Sequence, residues 1–96
     1  MFFFGIDWSD DHHNLCIRNA EGTIISHVEF KHTLKGFLRL DDERRKLGVT
    51  PSECLVAIET AYNLIVDFLM DRGYLIYLIP PQATASYRRA DRHSPP

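Results

Sequence analysis

Two hydrophobic rhythms run along the chain, and the change from one to the other divides it into elements. Residues 2–7 form a short apolar run closed by an acid, and in 13–19 Leu15 and Ile17 alternate with Cys16 and Arg18. Both patterns predict strands. Ala20-Glu21-Gly22 is a tight connection with a glycine available for a positive φ, and residues 23–30 return as a third strand. After Phe30 the spacing becomes helical. Thr33 is placed to cap a helix, Leu34, Phe37, Leu38 and Leu47 supply its apolar stripe, and Arg44, Arg45 and Lys46 fall in its last turn. Gly48 stops it and Pro51 prevents continuation, while Gly36 in the first turn is a mild weakness. Residues 54–58 are a continuous apolar run that stops at Glu59, which predicts a strand buried on both faces. A second helix follows on Ala61, Leu64, Ile65, Phe68 and Leu69, with Asp67 and Asp71 outside and Gly73 as its stop. Residues 74–79 form a last apolar strand, closed by Pro80-Pro81. Beyond it stand a short helical turn near 83–87 and a loose end without an apolar stripe.

The order is thus βββαβαβ. Three closely joined strands make an antiparallel meander, and helical crossovers set the later strands parallel to their neighbours with right-handed connections. The predicted architecture is α/β, a mixed five-stranded sheet in the order 3-2-1-4-5, which is the ribonuclease H-like arrangement. Its consequence is chemical. Asp7 closes the first strand and Glu59 the fourth, and these two strands are predicted to be parallel neighbours about 4.8 Å apart. Ligand sites of open α/β sheets lie at the carboxyl ends of strands. Two carboxylates held so close need a cation or a proton, and Mg²⁺ suits an oxygen-rich place where it keeps several waters. The bland alternative is that each acid only marks where a strand meets water.

Composition narrows the field without naming a reaction. Ninety-six residues fit one domain with a modest core. A 45% apolar share with 25% charged residues is ordinary for a globular protein. The net charge of −2 hides an asymmetry, because Arg88, Arg89 and Arg92 face only Asp91 near the end. That basic tail is a candidate for phosphate contact, against the plainer reading of a solvated end. Cys16 and Cys54 sit in apolar runs without a CxxC pair and read as buried, reduced thiols, which suits a cytoplasmic location. The opening Met-Phe-Phe-Phe lacks a basic leader and is cut off by Asp7, so it predicts neither a signal peptide nor a membrane span. His12 and His13 are adjacent on a strand and cannot both face one ion, so at least one imidazole is expected to be exposed. Asp10 and Asp11 read as a solvated turn, and Trp8 as a cover for the sheet's end.

Four segments in series carry a family likeness: "GIDWSDDHH", "AIETAYN" at 57–63, "RGYLIYLIPP" at 72–81 and the closing "SYRRADRHSPP". Together they resemble the amino-terminal domain of DEDD-type transposases of the insertion sequence 110 family. The resemblance implies a RuvC-like catalytic domain over residues 1–81, with 82–96 a basic, partly flexible tail. It further implies Mg²⁺ (or Mn²⁺) bound by an acid tetrad, in which Asp7 is the first member and Glu59 the second. DNA would be the substrate, with a guide RNA and a homo-oligomer in the full-length protein, and no membrane. The other two aspartates of the pattern are expected just after "RHSPP", so the resemblance makes this chain a fragment with half a metal site. Actin-like and sugar-kinase-like ATPases share the opening strand, but their phosphate-binding turn needs glycine, and Trp8-Ser9-Asp10-Asp11 supplies two negative charges instead. A non-catalytic interaction or dimerisation module of the same fold is the remaining alternative.

Overall fold

Where each apolar stripe finds its partner decides the architecture. In the computed structural model, which describes residues 1–8, 12–59 and 64–80, the elements run β1 (Phe2–Trp8), β2 (His12–Arg18), β3 (Ile24–Lys31), α1 (Leu34–Lys46), a single 3₁₀ turn (Pro51–Glu53), β4 (Cys54–Ile58), α2 (Leu64–Arg72) and β5 (Leu75–Leu78). The five strands form one sheet in the order β3-β2-β1-β4-β5. β1 is antiparallel to β2 and parallel to β4, β2 is antiparallel to β3, and β4 is parallel to β5. Fold class and strand order are as the change of hydrophobic period predicts.

Burial on both faces of β4 is not what the structure shows. Cys54, Val56 and Ile58 are buried, but Leu55 and Ala57 between them are only half-buried. The cause is topological. From β3 to β4 and from β4 to β5 the chain steps in the same direction across the sheet, so two right-handed crossovers put both helices on the same face. That face carries the core: Phe4, Ile6, Leu15, Ile17, Val56 and Ile58 pack against Phe37 and Leu40 of α1 and Ile65, Val66 and Leu69 of α2. On the opposite face Phe3, Leu75 and Tyr77 are exposed.

The stripe of α1 is also rotated from the expected one. Leu34 is 64% exposed and Leu38 38%, whereas Phe37, Leu40 and Asp41 are buried. Phe37 anchors the helix, its ring 6.5 Å from Phe30 and 5.6 Å from Phe68. The cap is as expected: the Thr33 hydroxyl accepts a hydrogen bond from the Gly36 amide at 3.0 Å. Gly48 and Gly73, at φ of 73° and 94°, end the two helices.

Gly36 is a requirement of the fold. A Cβ there would lie 1.9 Å from the Lys31 carbonyl oxygen and 2.8 Å from its carbon, so the first turn of α1 lies directly against the end of β3. Glycine to alanine inside a helix ordinarily stabilises by about 1 kcal/mol. Here the sign reverses, because backbone cannot move aside as a side chain would. Gly36→Ala is expected to destabilise the domain by about 3 kcal/mol, read as a lower urea midpoint. An unchanged or raised midpoint would show that this approach is not tight.

Candidate active site

Asp7 and Glu59 reach the same sheet edge through the register of β1 and β4. The paired residues run Phe2–Cys54 through Ile6–Ile58, so Asp7 and Glu59 are the next residue on each strand. Asp7 is not the last residue of its strand, which continues to Trp8, and it pairs across with Asn14, itself paired with Glu29. Strand alternation sets the direction. Ile6 is buried on the helix side and Asp7 is exposed on the other side, where no helix of the described residues crosses. Glu59 follows buried Ile58 and is half-buried. Its neighbourhood is fixed from the other flank as well, because the Ile79 amide donates to the Ile58 carbonyl at 2.7 Å and prolongs the pairing beyond β5.

A depression of about 470 Å³ opens on this face beside Asp7. Gly5, Asn14, Cys16, His27 and Ala57 line it with Asp7. Gly5 keeps it open, since its missing side chain leaves the floor to backbone. Asp7 brings a carboxylate and Asn14 a side-chain amide to this depression, oxygen ligands that suit a hard divalent ion, and Glu59 stands one strand over, outside its lining. Among the described residues no group of three or more His, Cys, Asp or Glu side chains converges as a metal centre. The described donors therefore fit such an ion in kind but supply only two acids.

The histidines are arranged for packing. His13 is 1% exposed on the helix face, its ring 5.3 Å from Phe30, and its Nε2 lies 3.1 Å from Nδ1 of His32. His12 is half-buried on the other side of the strand, so neither imidazole of the pair is exposed as expected. The tight β3–α1 connection brings His32 onto the His13 ring, 5.2 Å between centroids, and so covers it. Cys54 is buried and its thiol is pushed up to about 11 by burial, an inert state. Cys16 is half-buried, and both thiols are free. Arg88, Arg89 and Arg92 lie outside the described residues, as do Ser9, Asp10, Asp11, Ala61 and the side chain of Trp8.

At the opposite edge of the sheet stands a polar cluster that the sequence reading missed. Asp41 is 1% exposed and accepts from Arg44 Nε at 3.0 Å and Nη2 at 2.9 Å, from Arg72 at 3.3 Å, and from the Tyr74 hydroxyl. Arg44 also donates to the Val49 carbonyl at 3.0 Å. Burial pushes the Asp41 carboxyl up, but the hydrogen bonds from Arg44 and Tyr74 and the charges of Arg44 and Arg72 outweigh it, leaving it below the usual range. The tyrosine is raised by burial and by the same carboxylate. The i, i+3 spacing of Asp41 and Arg44 was a visible signal. Its burial was not, because it depends on Tyr74 and Arg72 arriving from the end of α2 and the approach to β5.

Relatives in sequence agree with the likeness noted above. The profile of the DEDD-type transposases of insertion sequence 110, described as a transposase, matches residues 4–95. A candidate mini-circle transposase for IS117 from Streptomyces coelicolor is 35% identical over 94 residues, covering 95% of this chain and 22% of that protein. A candidate transposase of Sinorhizobium fredii, y4uE, is 25% identical over 88 residues, covering 90% of this chain and 24% of that protein. The chain thus spans about a fifth to a quarter of the length of these relatives.

Proposed function

Because the chain belongs to the insertion sequence 110 family of DEDD-type transposases, we propose that it carries two metal-holding acids, Asp7 and Glu59, of an enzyme that cuts and rejoins DNA. The observation behind this reading is the β1–β4 register, which makes the two acids consecutive neighbours at the carboxyl edge of a parallel strand pair. A divalent ion, when bound, would stabilise the charge that develops on the attacking and leaving oxygens of phosphoryl transfer. Asp7 and Glu59 would hold it from two rigid central strands, so their carboxylates are positioned before substrate arrives. Asn14, paired with Asp7, would offer an amide oxygen or donate a hydrogen bond to its carboxylate. Among the described residues no helix covers this face, and DNA would approach the acids from it. A guide RNA and assembly of several copies belong to the same proposal, as does phosphate contact by Arg88, Arg89 and Arg92.

Two acids bind a divalent ion weakly, and that is the measurable consequence. Mn²⁺ takes the same carboxylate and water ligands as Mg²⁺ and has a paramagnetic signal. Titrated against this chain by electron paramagnetic resonance, it should bind weakly at one site. Asp7→Asn and Glu59→Gln should each abolish that binding while the circular dichroism spectrum stays unchanged. Binding indifferent to both substitutions would mean that these acids only mark where two strands meet water.

A further inference from the structure

Positive charge among the described residues is mostly spoken for. Eight lysines and arginines fall within them. Arg44, Arg45 and Arg72 converge on Asp41, and Lys46 pairs with Glu43. Arg18 donates to the Gly22 carbonyl. Lys31, Lys35 and Arg39 remain, exposed and in no salt bridge or side-chain hydrogen bond among the described residues. All three line one cleft of about 560 Å³ between the end of β3 and the outer side of α1, together with His12, Glu29 and Asp42.

We propose that this cleft seats the phosphate backbone of a nucleic-acid strand that runs along the sheet edge toward Asp7 and Glu59. Lys35 and Arg39 stand one helical turn apart, which sets their Cβ atoms about 5–6 Å from each other on the same helix face. Lys31 joins them because Gly36 lets the first turn of α1 lie directly on the Lys31 backbone. Three cations against the two acids Glu29 and Asp42 give the cleft a positive balance in a chain whose net charge is −2. That local reversal of sign selects an anion, and a row of cations selects a polyanion over a single phosphate.

Position supplies the direction of the strand. Lys31 pairs with His12, and Asp7 pairs with Asn14 two residues further along β2, so cleft and acids share one end of the sheet. Two strand spacings of about 4.8 Å separate Lys31 from Asp7; Lys35 and Arg39 stand on α1, on the helix side, so the polynucleotide rounds the β3 edge to reach the acids. The course of the strand toward the acids rests on the transposase reading, whereas the cleft's affinity for phosphate rests on charge alone.

The test uses this chain in EDTA, so that metal chemistry plays no part. Fluorescence anisotropy of labelled single-stranded DNA, single-stranded RNA and duplex DNA is followed across a salt series. The Lys31→Gln/Lys35→Gln/Arg39→Gln variant should lose about 2 units of the slope of log affinity against log salt on a single strand, about 0.7 for each phosphate contact removed. Lys35→Gln alone should lose about a third of that. Arg18→Gln, which removes a cation at the far end of β2, should bind with the parental slope, and the nucleic acid showing the largest loss identifies the strand the cleft was built for. An unchanged slope in the triple variant overturns the proposal. So does binding abolished entirely by Arg88→Gln/Arg89→Gln/Arg92→Gln, or no binding to any of the three by the parent chain. Failure of the metal reading would show in the Mn²⁺ titration and leave this salt slope untouched.

Discussion

Asp41→Ala is expected to cost the domain about 3–5 kcal/mol, the usual penalty for removing one partner of a buried ion pair. Against a total stability of about 5–15 kcal/mol, that leaves a large part of the population unfolded. The magnitude follows from what is left behind. Arg44, with a side chain 13% exposed, would face Arg72 with no anion between them, and the Tyr74 hydroxyl would lose its acceptor. Arg45 matters little, since its side chain is 62% exposed and its contact is 3.4 Å. Tyr74→Phe removes only one donor and should cost about 1–2 kcal/mol. Urea denaturation of the three proteins gives the order, and equal midpoints for Asp41→Ala and the parent would refute it.

Acid resolves the same cluster. The Asp41 carboxyl is lowered in the folded state, so its stabilisation is complete above the ordinary carboxylate value of about 3.9 and disappears as pH falls through the lowered one. Asp41→Asn lacks this dependence. The gap in stability between parent and variant should therefore be constant at neutral pH and close below about pH 4. Glu43 is lowered mainly by the hydrogen bond from Lys46, and that part of the acid response persists in both proteins.

What the sequence revealed and what it concealed follow one physical division. Strand order was legible because local signals determine it: the turn at Gly22, the switch of period after Phe30, and crossovers of fixed hand. Asp7 and Glu59 were legible for the same reason, since each sits at a fixed offset in a strand whose partner the topology names. Facing was not. A run such as Cys54–Ile58 has no polar residue to show which side is covered, and only the common direction of both crossovers leaves Leu55 and Ala57 half-exposed. The stripe of α1 failed similarly: Leu34 and Leu38 have the right spacing, but the approach at Gly36 turns Leu40 and Asp41 inward instead. The cations of the β3–α1 cleft recur every fourth residue across a strand–helix junction, and only the fold sets them on one cleft, so counting charge along the chain pointed to the tighter cluster Arg88, Arg89 and Arg92 and passed over Lys31, Lys35 and Arg39.

Asp7→Asn, introduced into a transposase of the relatives' length that carries this domain, is expected to reduce DNA strand transfer by about a thousandfold. The substitution keeps the size of the side chain and one oxygen ligand but removes the negative charge that would hold a divalent ion. If the ion contributes about 4 kcal/mol of charge stabilisation in the transition state, its loss is worth three powers of ten. Stability should not fall, because Asp7 is exposed on the open face and contributes nothing to the core. Glu59→Gln should show the same loss, and the double variant should be hardly worse than either, since groups that act through one ion fail together. Salt-dependent binding of nucleic acid should survive in all three. Multiplicative losses in the double variant would mean that Asp7 and Glu59 act separately. Full activity of either single variant would remove that acid from the reaction.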